Sequence, residues 1–406
     1  MIKLNVWLNI DPGKIIHAGE LVASDPDSQG RLQGQFRYSP EYLNRLESFP
    51  LDPIHLPRSL EIFNANRPYA GVHGVFEDSL PDDWGRRILA RRYQLARSDQ
   101  RVPQLLDLLK GQGMGALSYS KNNTAPDKNE GVDGQYLEDL QRLATKFEGD
   151  PTSVDDEMAL LFQAGSSPGG ARPKALINDG ERSCLAKFAS IKDQFNVVAL
   201  EAAAMELARR AGVNAAATQC VPCGKGKVLM VERFDIDKAT MKRNHVISMQ
   251  TLLGAEGYYN LGYSDMVAII RRVSADPIQD LHQLFKQLVF NVMIGNTDDH
   301  LKNFCMLYDG QAWRLSPAFD LVPNIGLNRE HVLRIGLANL VPNRETLLAE
   351  AKKFGIKQRP KAEEIINAML SVMSDWKKVF TEFEVPKRDI DMLGRDIENR
   401  LVNLRP

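Results

Sequence analysis

Apolar and polar positions alternate over short runs in the first 80 residues of the chain. The runs IKLNVWLN, HAGELVAS and LQGQFRYS are separated by Gly, Pro, Asp and Asn. A period of two residues is typical of strands with one buried face, so this region is predicted to be rich in β-structure. From Leu80 onward, PDDWGRRILARRYQLA places apolar residues at helical spacing after a proline and two aspartates, which predicts the start of a helix.

A polar stretch at 121–134 has the composition of a surface loop and precedes a different pattern. Helices are predicted near 135–148 and 156–163, followed by a glycine-rich run at 165–170. Beyond that run, KALIND, SCLAKFAS, AATQCVPC and KVLMVERFD read as strands, and a long helix near 196–211 separates the second from the third. This order of elements predicts a small nucleotide-binding lobe.

The chain becomes mostly helical after Asp235. Helices are predicted near 264–273, 278–294, 344–354, 360–379 and 386–403, with one around ISMQTLLGA and a short hairpin of CML and WRL. We therefore predict an α+β protein with two lobes. Its parts are a β-rich N-terminal region at 1–150, a nucleotide-binding small lobe at 151–236 and an all-helical catalytic lobe at 237–406.

Composition limits the functions that are compatible with the chain. Over 406 residues, 43% hydrophobic and 25% charged positions are typical of an ordinary folded protein. The 51 basic and 52 acidic residues give a net charge of -1, which offers no overall electrostatic surface for nucleic acid or an anionic membrane. Since no run of about 18 apolar residues and no signal peptide is apparent, we expect a cytoplasmic protein without a membrane partner.

Four cysteines are too few for a disulfide framework in a chain of this length. Cys220 and Cys223 form a C-x-x-C motif, for which metal binding and redox chemistry are the functional alternatives. No second Cys or His pair lies nearby in sequence, and CVPCGKG has the pattern of a strand that runs into a turn. We therefore expect neither chemistry at this motif.

The strongest chemical signal is GNTDDHLKNF at 295–304, which follows an apolar helix. Protein kinases place a catalytic Asp and a magnesium-binding Asn five positions apart, as Asp298 and Asn303 are here. Lys302 lies between them, where a cation could neutralise charge on a transferring phosphoryl group, and His300 could orient the loop or the phosphates. A polar turn without function is the alternative.

A second carboxylate follows in SPAFDLVPN, which places Asp320 after the short hairpin. Magnesium prefers hard, anionic oxygen ligands, and the loop and Asp320 together would supply them. Asp320 alone could instead cap a turn. The two motifs together favour an ATP-dependent phosphotransferase with a protein-kinase-like fold.

Three features upstream fit a site for the nucleotide phosphates. SSPGGARPK offers Gly169 and Gly170, which lack a Cβ and so let the backbone approach phosphate closely. Lys187 follows in the next strand, and Glu201 lies on a largely apolar helix, where a buried acid requires a cationic partner. We predict that Lys187 and Glu201 pair and hold the α- and β-phosphates.

The strand VLMVERFDI is predicted to act as the hinge, with backbone groups near Glu232 and Phe234 at the adenine and Asp235 near the ribose. The arginine-rich face at 86–97 is typical of a solvated helix, and a partner or nucleic-acid surface is the alternative.

The motifs SSPGGARPK, CLAKFAS, VERFDI, ISMQTLLG, NTDDHLKNF and SPAFDLVP occur in this order, and FEDSLPDDWGRR lies near the start. In that order they resemble the HipA family of bacterial serine/threonine kinases, the toxins of type II toxin–antitoxin modules. The resemblance covers nearly the whole chain. It implies a kinase that uses ATP and Mg2+, with Lys187 at the phosphates, Asp298 as catalytic base, and Asn303 and Asp320 as magnesium ligands.

The resemblance also implies further nucleotide contacts from Glu232, Phe234, Asp235 and His300. It places the family's autophosphorylated serine at Ser167. The adjacent Ser166 competes for that role, and the prolines of this loop are expected to stiffen a segment that the family ejects on phosphorylation.

Members of the family are usually encoded with a small helix-turn-helix antitoxin that binds both the kinase and operator DNA. The resemblance thus implies a HipB-like partner, contact with operator DNA only through it, and a protein substrate such as an aminoacyl-tRNA synthetase. Two other functions stay open. One is a catalytically silent ATP-binding corepressor, which the retained Asp298, Asn303 and Asp320 disfavour, and the other is a kinase for a small molecule.

Overall fold

The strands bear out the alternating pattern of the first third of the chain. A computed structural model describes residues 1–127, 131–151, 158–164, 170–180, 182–257, 259–326, 329–336 and 341–406. Within these ranges the strands are β1 (Ile2–Asp11), β2 (Lys14–Ala23), β3 (Gly34–Tyr38), β4 (Phe63–Asn64), β5 (Leu117–Ser120), β6 (Val132–Asp133), β7 (Lys174–Asn178), β8 (Ser183–Lys187), β9 (Thr218–Cys223), β10 (Gly226–Glu232), β11 (His245–Ser248), β12 (Cys305–Tyr308) and β13 (Trp313–Leu315).

The helices dominate the C-terminal part, as the 3.6-residue pattern predicts. In the described ranges they are α1 (Pro40–Leu43), α2 (Gly74–Glu77), α3 (Asp83–Arg92), α4 (Val102–Leu109), α5 (Leu137–Gly149), α6 (Met158–Ala164), α7 (Val197–Arg210), α8 (Met249–Leu252), α9 (Tyr263–Val273), α10 (Pro277–Ile294), α11 (Arg344–Ala351), α12 (Arg359–Met373), α13 (Trp376–Glu382) and α14 (Lys387–Leu404). The predicted α+β class, β-rich at the start and helical towards the end, is confirmed.

Two compact units are formed by discontinuous segments of the chain. The first consists of Met1–Ile191, Glu232–Gly254 and Leu307–Ala312, and the second of Lys192–Val231, Ala255–Met306 and Trp313–Pro406. The predicted division at residues 150 and 236 stays a prediction.

The first unit contains an antiparallel sheet in the order β4-β3-β2-β1-β5. Leu4, Val6 and Leu8 of β1 are fully buried, which is why alternate positions of this strand are apolar. In the same unit β7 pairs parallel with β6 and antiparallel with β8. Their register places Lys174 opposite Lys187, so both side chains leave the same face of the sheet.

The second unit is built around α10, which is buried along most of its length and packs against α9, α12 and α14. Asp276 caps its N-terminus by accepting a hydrogen bond from the Gln279 N–H, and Pro277 occupies the first turn. Most residues of helix α7 are also buried, and it contacts α13 and the strand β9. These packed helices provide the support for the loop that follows α10.

Two details differ from the sequence-based expectation. The helix predicted at 360–379 is two helices, α12 and α13, because the chain turns at Ser374 and Asp375, residues that form helix poorly. The C-terminal part is not all helical, since it contains the short strand β11 as well as β12 and β13, the hairpin that the sequence predicted. In the described ranges, no helix combines the length and the apolar character that crossing a lipid bilayer requires.

Candidate active site

The loop carrying the predicted catalytic residues begins where α10 ends. Gly295 terminates the helix in the left-handed conformation at φ 74°. A Cβ at this position would lie 3.0 Å from Oδ2 of Asp396 and 3.1 Å from Nε of Arg400, so the turn requires glycine. The buried Arg400 guanidinium also donates to the Val292 carbonyl in the last turn of α10, where a positive charge is favourable.

Asp298 and Asp299 are neighbours in sequence and lie in opposite environments. Asp298 is exposed, whereas Asp299 is 1% exposed. The Tyr263 hydroxyl donates to Oδ2 of Asp299 at 2.8 Å, and the Leu333 N–H donates to Oδ1 at 3.2 Å. Nδ1 of His331 lies 2.9 Å from the same Oδ2. The loop is therefore fixed through Asp299, which leaves the Asp298 carboxylate facing solvent.

A chain of buried side chains extends this support back into α10. Asn291 donates through Nδ2 to the Tyr263 hydroxyl at 2.9 Å and accepts from Nδ2 of Asn296 at 3.1 Å. Burial, followed by the charge of Asp299, raises the pKa of Tyr263 well above its usual value, so its hydroxyl keeps the proton that it donates. The polar groups thus satisfy one another in an otherwise apolar core.

The second half of the loop is a 3-10 turn over Leu301–Asn303. The Asn303 side chain donates through Nδ2 to the main-chain carbonyl of Asp298 at 3.1 Å, which joins the two residues that the spacing predicted to act together. The main-chain N–H of Asn303 bonds to the His300 carbonyl, and the N–H of Leu301 donates to the Tyr259 hydroxyl at 3.0 Å. Because the Asn303 amide nitrogen is used within the loop, its oxygen is the atom that could coordinate a cation.

The remaining loop residues are accessible to different degrees. Lys302 and His300 are each partly exposed, and Asn303 is buried at 9% exposure. A half-buried lysine can present its ammonium to an anion while its methylene groups stay packed.

Asp320 adopts an unusual backbone conformation for a residue with a side chain, with φ 56°. Such conformations cost about 1 kcal/mol or more for non-glycine residues and persist where the surroundings impose them. Here Ala318 is fixed by hydrogen bonds with Asn214 and Ala216, and the following Leu321 is buried. The backbone on both sides of Asp320 is therefore held by its neighbours.

Hydrogen bonds connect the Asp320 segment with the loop that bears Asp298. The Asn324 N–H donates to the Gly295 carbonyl at 2.8 Å, and its side chain donates to the Thr297 hydroxyl. The Thr297 carbonyl also accepts from the Val332 N–H at 3.0 Å. The two motifs that were read separately along the sequence thus meet in one part of the second unit.

The first unit contains the predicted phosphate-binding residues. Ser167 and Gly169, like Ser166, lie outside the described residues. Gly170 has φ 65° and an exposed backbone, and an added Cβ would lie 2.8 Å from Nζ of Lys174. Lys187 is half-buried at the end of β8.

Glu201 lies in the other unit, on α7, at 4% exposure. Together with burial, its negative charge raises the pKa of the Cys220 thiol. The predicted pairing of Glu201 with Lys187 stays a prediction.

The predicted hinge residues have internal partners in the first unit. Lys238 forms a 2.6 Å ion pair with Glu232, and the Phe234 carbonyl accepts from Nδ2 of Asn244 at 3.1 Å. Asp235 is fully buried and binds the Arg233 guanidinium at 2.6 and 3.0 Å and the Gly115 N–H at 2.7 Å.

This burial argues against the expected contact between Asp235 and the ribose. Both carboxylate oxygens are already bonded, and the Arg233 charge and these bonds outweigh burial and lower the pKa of Asp235 to about 2. These contacts favour a structural role for Asp235, and its predicted contact with the ribose stays a prediction.

Internal contacts also account for much of the arginine-rich face of α3. Arg86 bonds to Glu77 and to the Pro81 carbonyl, and Arg92 donates to the Phe162 carbonyl at 3.1 Å. These arginines pack the helix within its own unit. Their contacts therefore favour neither a solvated face nor a surface for a partner or nucleic acid.

The sequence analysis missed several residues that support the loop. Asp299 could have been suspected, since two adjacent acids in a short turn repel each other unless one finds donors elsewhere. Tyr263 and His331 lie far away along the chain and resemble ordinary core residues, so no local pattern distinguishes them.

The metal-binding capacity of the described residues is limited. No group of three or more His, Cys, Asp or Glu side chains in the described ranges is arranged to hold a metal ion. The oxygens of Asn303 and Asp320 are nevertheless hard donors of the kind that magnesium accepts alongside water and phosphate. The C-x-x-C motif forms a strand that runs into a turn, as predicted, with Cys220 half-buried and Cys223 buried.

Family comparisons agree on the nature of the chain. The model of the HipA N-terminal domain matches residues 4–120, and that of the HipA-like C-terminal domain matches residues 166–376. The curated protein "Putative kinase Y4mE" of Sinorhizobium fredii (strain NBRC 101917 / NGR234) is 27% identical over 368 residues, which cover 82% of this chain and 80% of that protein. A second kinase-named protein of that strain, Y4dM, is 29% identical over 140 residues, or 31% of this chain and 34% of that protein.

A solved structure shares the fold. It is a complex of HipA, HipB and operator DNA from the Shewanella oneidensis MR-1 toxin–antitoxin system, in which the matched chain is 17% identical. The match covers 98% of this chain and 96% of that chain with a TM-score of 0.71. At this identity the comparison establishes the architecture alone.

Proposed function

This chain belongs to the HipA family, and we propose that it is an ATP-dependent serine/threonine protein kinase that acts within a toxin–antitoxin pair. The observation that carries the proposal is the opposite placement of two neighbouring carboxylates. Asp299 is buried among three hydrogen-bonding partners, whereas Asp298 is exposed on the same turn. In this loop the buried acid fixes the turn and the exposed acid stays accessible to substrate. Such an arrangement is suited to general-base catalysis.

In the proposed reaction Asp298 accepts the proton of an attacking serine or threonine hydroxyl. The hydroxyl oxygen then forms a bond to the γ-phosphorus of ATP, the bond to the β-γ bridging oxygen breaks, and ADP leaves. Lys302 neutralises negative charge on the phosphoryl group as it transfers. His300 lies at the start of the same turn and orients the loop or the phosphates.

The donor set of Asn303 and Asp320 fits magnesium, because both supply hard oxygen ligands. Bound magnesium would offset the charge of the nucleotide phosphates. In the first unit we propose phosphate contacts by Lys187 and the glycines 169 and 170, and backbone contacts to the adenine near Glu232 and Phe234. Glu201 is proposed to orient Lys187.

Regulation by autophosphorylation is a further part of the proposal. A phosphate on Ser167 carries about -1.5 to -2 charges at neutral pH and would repel the nucleotide triphosphate, so the modified kinase is expected to bind ATP less tightly. Two cations follow this serine in sequence. Arg172 is exposed whereas Lys174 is buried, so Arg172 is the better placed to pair with a phosphate on a displaced loop.

The partner that we propose is a helix-turn-helix antitoxin similar to HipB. Support comes from the fold shared with a HipA chain in complex with HipB and operator DNA, and from family membership. A net charge of -1 favours DNA contact through that partner over direct binding. We propose a cytoplasmic location and a protein substrate.

The test compares Asp298→Asn with wild-type protein in a transfer assay with γ-labelled ATP and a cell lysate. Asparagine fills nearly the same volume and cannot take the hydroxyl proton, so labelling is expected to fall by about a hundredfold or more, the range of general-base catalysis. Asp391→Asn, a change at an exposed aspartate on α14, is the matched control and should retain full activity.

Equal labelling by the Asp298→Asn protein would exclude Asp298 as the base. Label found only in small molecules would point to a different substrate class. Binding of ATP without any transfer by the wild-type protein would favour a corepressor.

A further inference from the structure

Three charged side chains of the second unit, Arg329, Asp396 and Arg400, form a charged cluster. Oδ2 of Asp396 lies 2.8 Å from Nε of Arg400 and 3.2 Å from Nη1 of Arg329. The Arg400 side chain is 1% exposed, whereas that of Asp396 is 19% and that of Arg329 is 37% exposed. One carboxylate oxygen therefore joins two guanidinium groups, one buried and one partly exposed.

Within this cluster, Arg400 connects α14 with two other parts of the same unit. Its Nη1 donates to the Val292 carbonyl in the last turn of α10 at 3.4 Å, and its Nη2 donates to the Arg329 carbonyl at 3.2 Å. Since Nε donates to Asp396, each nitrogen of the buried guanidinium has an acceptor. A buried charge is stable only with such partners, so these contacts are expected to form together with the fold.

Gly295, at the end of α10, contacts the charged cluster and also the segment 320–324. A Cβ at Gly295 would lie 3.0 Å from Oδ2 of Asp396 and 3.1 Å from Nε of Arg400, so only glycine lets the cluster come this close. The Gly295 carbonyl accepts from the Asn324 N–H at 2.8 Å. The end of α10 is thus in contact with both.

Arg329 reaches the same segment from the cluster. Its Nη1 donates to the Asn324 carbonyl at 3.2 Å, and the Asn324 side chain donates to the Thr297 hydroxyl. The contacts therefore form a closed network, which consists of the charged cluster, Gly295 and Asn324. It runs from α14 to the end of α10, on to Asn324, and back to α14 through Arg329.

This network is adjacent in sequence to both motifs of the proposed site. Asn324 follows Asp320 by four positions, and Gly295 precedes Asp298 by three. Asn303 in turn donates to the Asp298 carbonyl at 3.1 Å. We therefore expect the separation between Asn303 and Asp320 to depend on the network.

From this arrangement we propose that Arg329, Asp396 and Arg400 are positioning residues, which set the affinity for magnesium-bound ATP by fixing Asn303 and Asp320 relative to each other. This role rests on the proposed function, because it takes Asn303 and Asp320 as the magnesium ligands. Groups behind the ligands of a metal orient those ligands, and their loss typically weakens metal binding by about tenfold or more.

The experiment uses the whole chain and changes the two members of the cluster that are not fully buried. Arg329→Gln removes the charge that bonds to Asp396 and to the Asn324 carbonyl. Asp396→Asn removes the negative charge between the two arginines. Arg400 is left intact, because deleting one partner of a buried ion pair strongly destabilises a protein.

Each variant has a control in the same unit. Arg210 is 41% exposed and pairs with Glu206 and Glu382, so Arg210→Gln breaks comparable ion pairs that involve no member of the network. Asp391→Asn changes an exposed aspartate of α14, the helix that carries Asp396.

Two measurements separate the network from its proposed effect on the metal. Hydrogen exchange by mass spectrometry over 319–326 reports on the Asn324 amide. In the Arg329→Gln protein this amide is expected to exchange about tenfold faster, the scale of losing one hydrogen bond from a charged donor. Calorimetry reports the affinity for ATP with magnesium and with EDTA in its place.

With magnesium, both cluster variants should bind ATP about tenfold more weakly than their controls. With EDTA, their affinities should agree with wild type within about twofold, the range for changes that act independently. The double variant Arg329→Gln/Asp396→Asn should stay within about twofold of the weaker single variant, since residues in contact are not additive. Fully additive losses would show that the two residues do not act through one network.

Unchanged exchange over 319–326 in the Arg329→Gln protein overturns the anchoring of Asn324. Faster exchange with an unaltered affinity for magnesium-bound ATP, or an equal loss of affinity with EDTA, overturns the link to the metal ligands. If the wild-type protein shows no magnesium-dependent binding of ATP, the proposed function fails and so does that link, while the exchange data still report whether the cluster holds Asn324.

Discussion

The Tyr263 hydroxyl donates a 2.8 Å hydrogen bond to Oδ2 of Asp299. This bond connects the first residue of α9 with a loop that follows the end of α10, and it does so inside the apolar core. Nε2 of the nearby His331 is buried without a partner among the described residues, so the Nδ1 atom next to Asp299 carries that side chain's polar contact. The buried acid therefore organises the loop whose exposed member is proposed to act on substrate.

Asp299→Asn should separate positioning from catalysis. Replacing a buried carboxylate that binds three partners is expected to lower the free energy of unfolding by about 2 kcal/mol, since hydrogen bonds to charged groups are stronger than neutral ones. Misplacement of Asp298 should also lower kcat with little change in KM for ATP. Denaturant unfolding and steady-state kinetics measure the two effects. For comparison, the Asp298→Asn protein should lose activity while its free energy of unfolding stays the same as that of wild type. An Asp299→Asn protein of wild-type stability and kcat would contradict the role.

Two substitutions at Asp320 should agree in binding and differ in stability. Asp320→Ala and Asp320→Gly both delete the proposed magnesium ligand, so each should lose magnesium-dependent binding of ATP in calorimetry. Glycine adopts φ 56° without strain, whereas alanine does not. The glycine variant is therefore expected to be more stable than the alanine variant by about 1 kcal/mol. Equal Mg-ATP affinity in wild type and both variants would show that Asp320 is not a magnesium ligand.

Asp235→Asn tests the structural role assigned to this residue. Loss of the charge leaves the Arg233 guanidinium buried at 3% exposure without its anionic partner. Breaking a buried ion pair by changing one partner typically costs about 3 kcal/mol or more of unfolding free energy. Urea unfolding measures this. If the variant keeps its stability and binds ATP more weakly, the result would support the predicted contact between Asp235 and the ribose.

His73 should make the stability of the protein depend on pH in the mildly acidic range. Burial lowers the pKa of His73 to about 4, so the folded protein keeps the ring neutral. In the unfolded chain this side chain takes up a proton near pH 6.5. The contribution of His73 to the free energy of unfolding is therefore fully present above about pH 6.5 and is lost as the pH falls towards 4. The loss is expected to be on the order of 2 kcal/mol.

Thermal unfolding of wild type and His73→Gln between pH 7 and 4.5 checks this. Glutamine does not titrate in that range, so its curve should decline less steeply. Parallel curves would show that another group governs the acid sensitivity.

Local residue patterns were enough to predict most of the element order. Alternation in IKLNVWLN and its neighbours gave β1 to β3, and helical spacing gave α3, α7, α9 and α10, because these patterns follow from burying one face of a strand or a helix. The spacing of Asp298 and Asn303 was equally local, and the bond between Asn303 Nδ2 and the Asp298 carbonyl lies within one turn. The break between α12 and α13 depends on the weak helix propensities of Ser374 and Asp375. The helical pattern continues across these residues, so a single helix was predicted there.

Which acids are available for chemistry depends instead on how distant parts of the chain pack together. In the sequence Asp235, Asp298 and Asp299 each lie in a short motif, and nothing local shows which of them is buried. Their difference comes from donors far away along the chain: Gly115 for Asp235, in addition to the nearby Arg233, and Tyr263 with His331 for Asp299. A buried carboxylate is stable only where such donors converge, and convergence is a property of the packed chain that no local pattern contains.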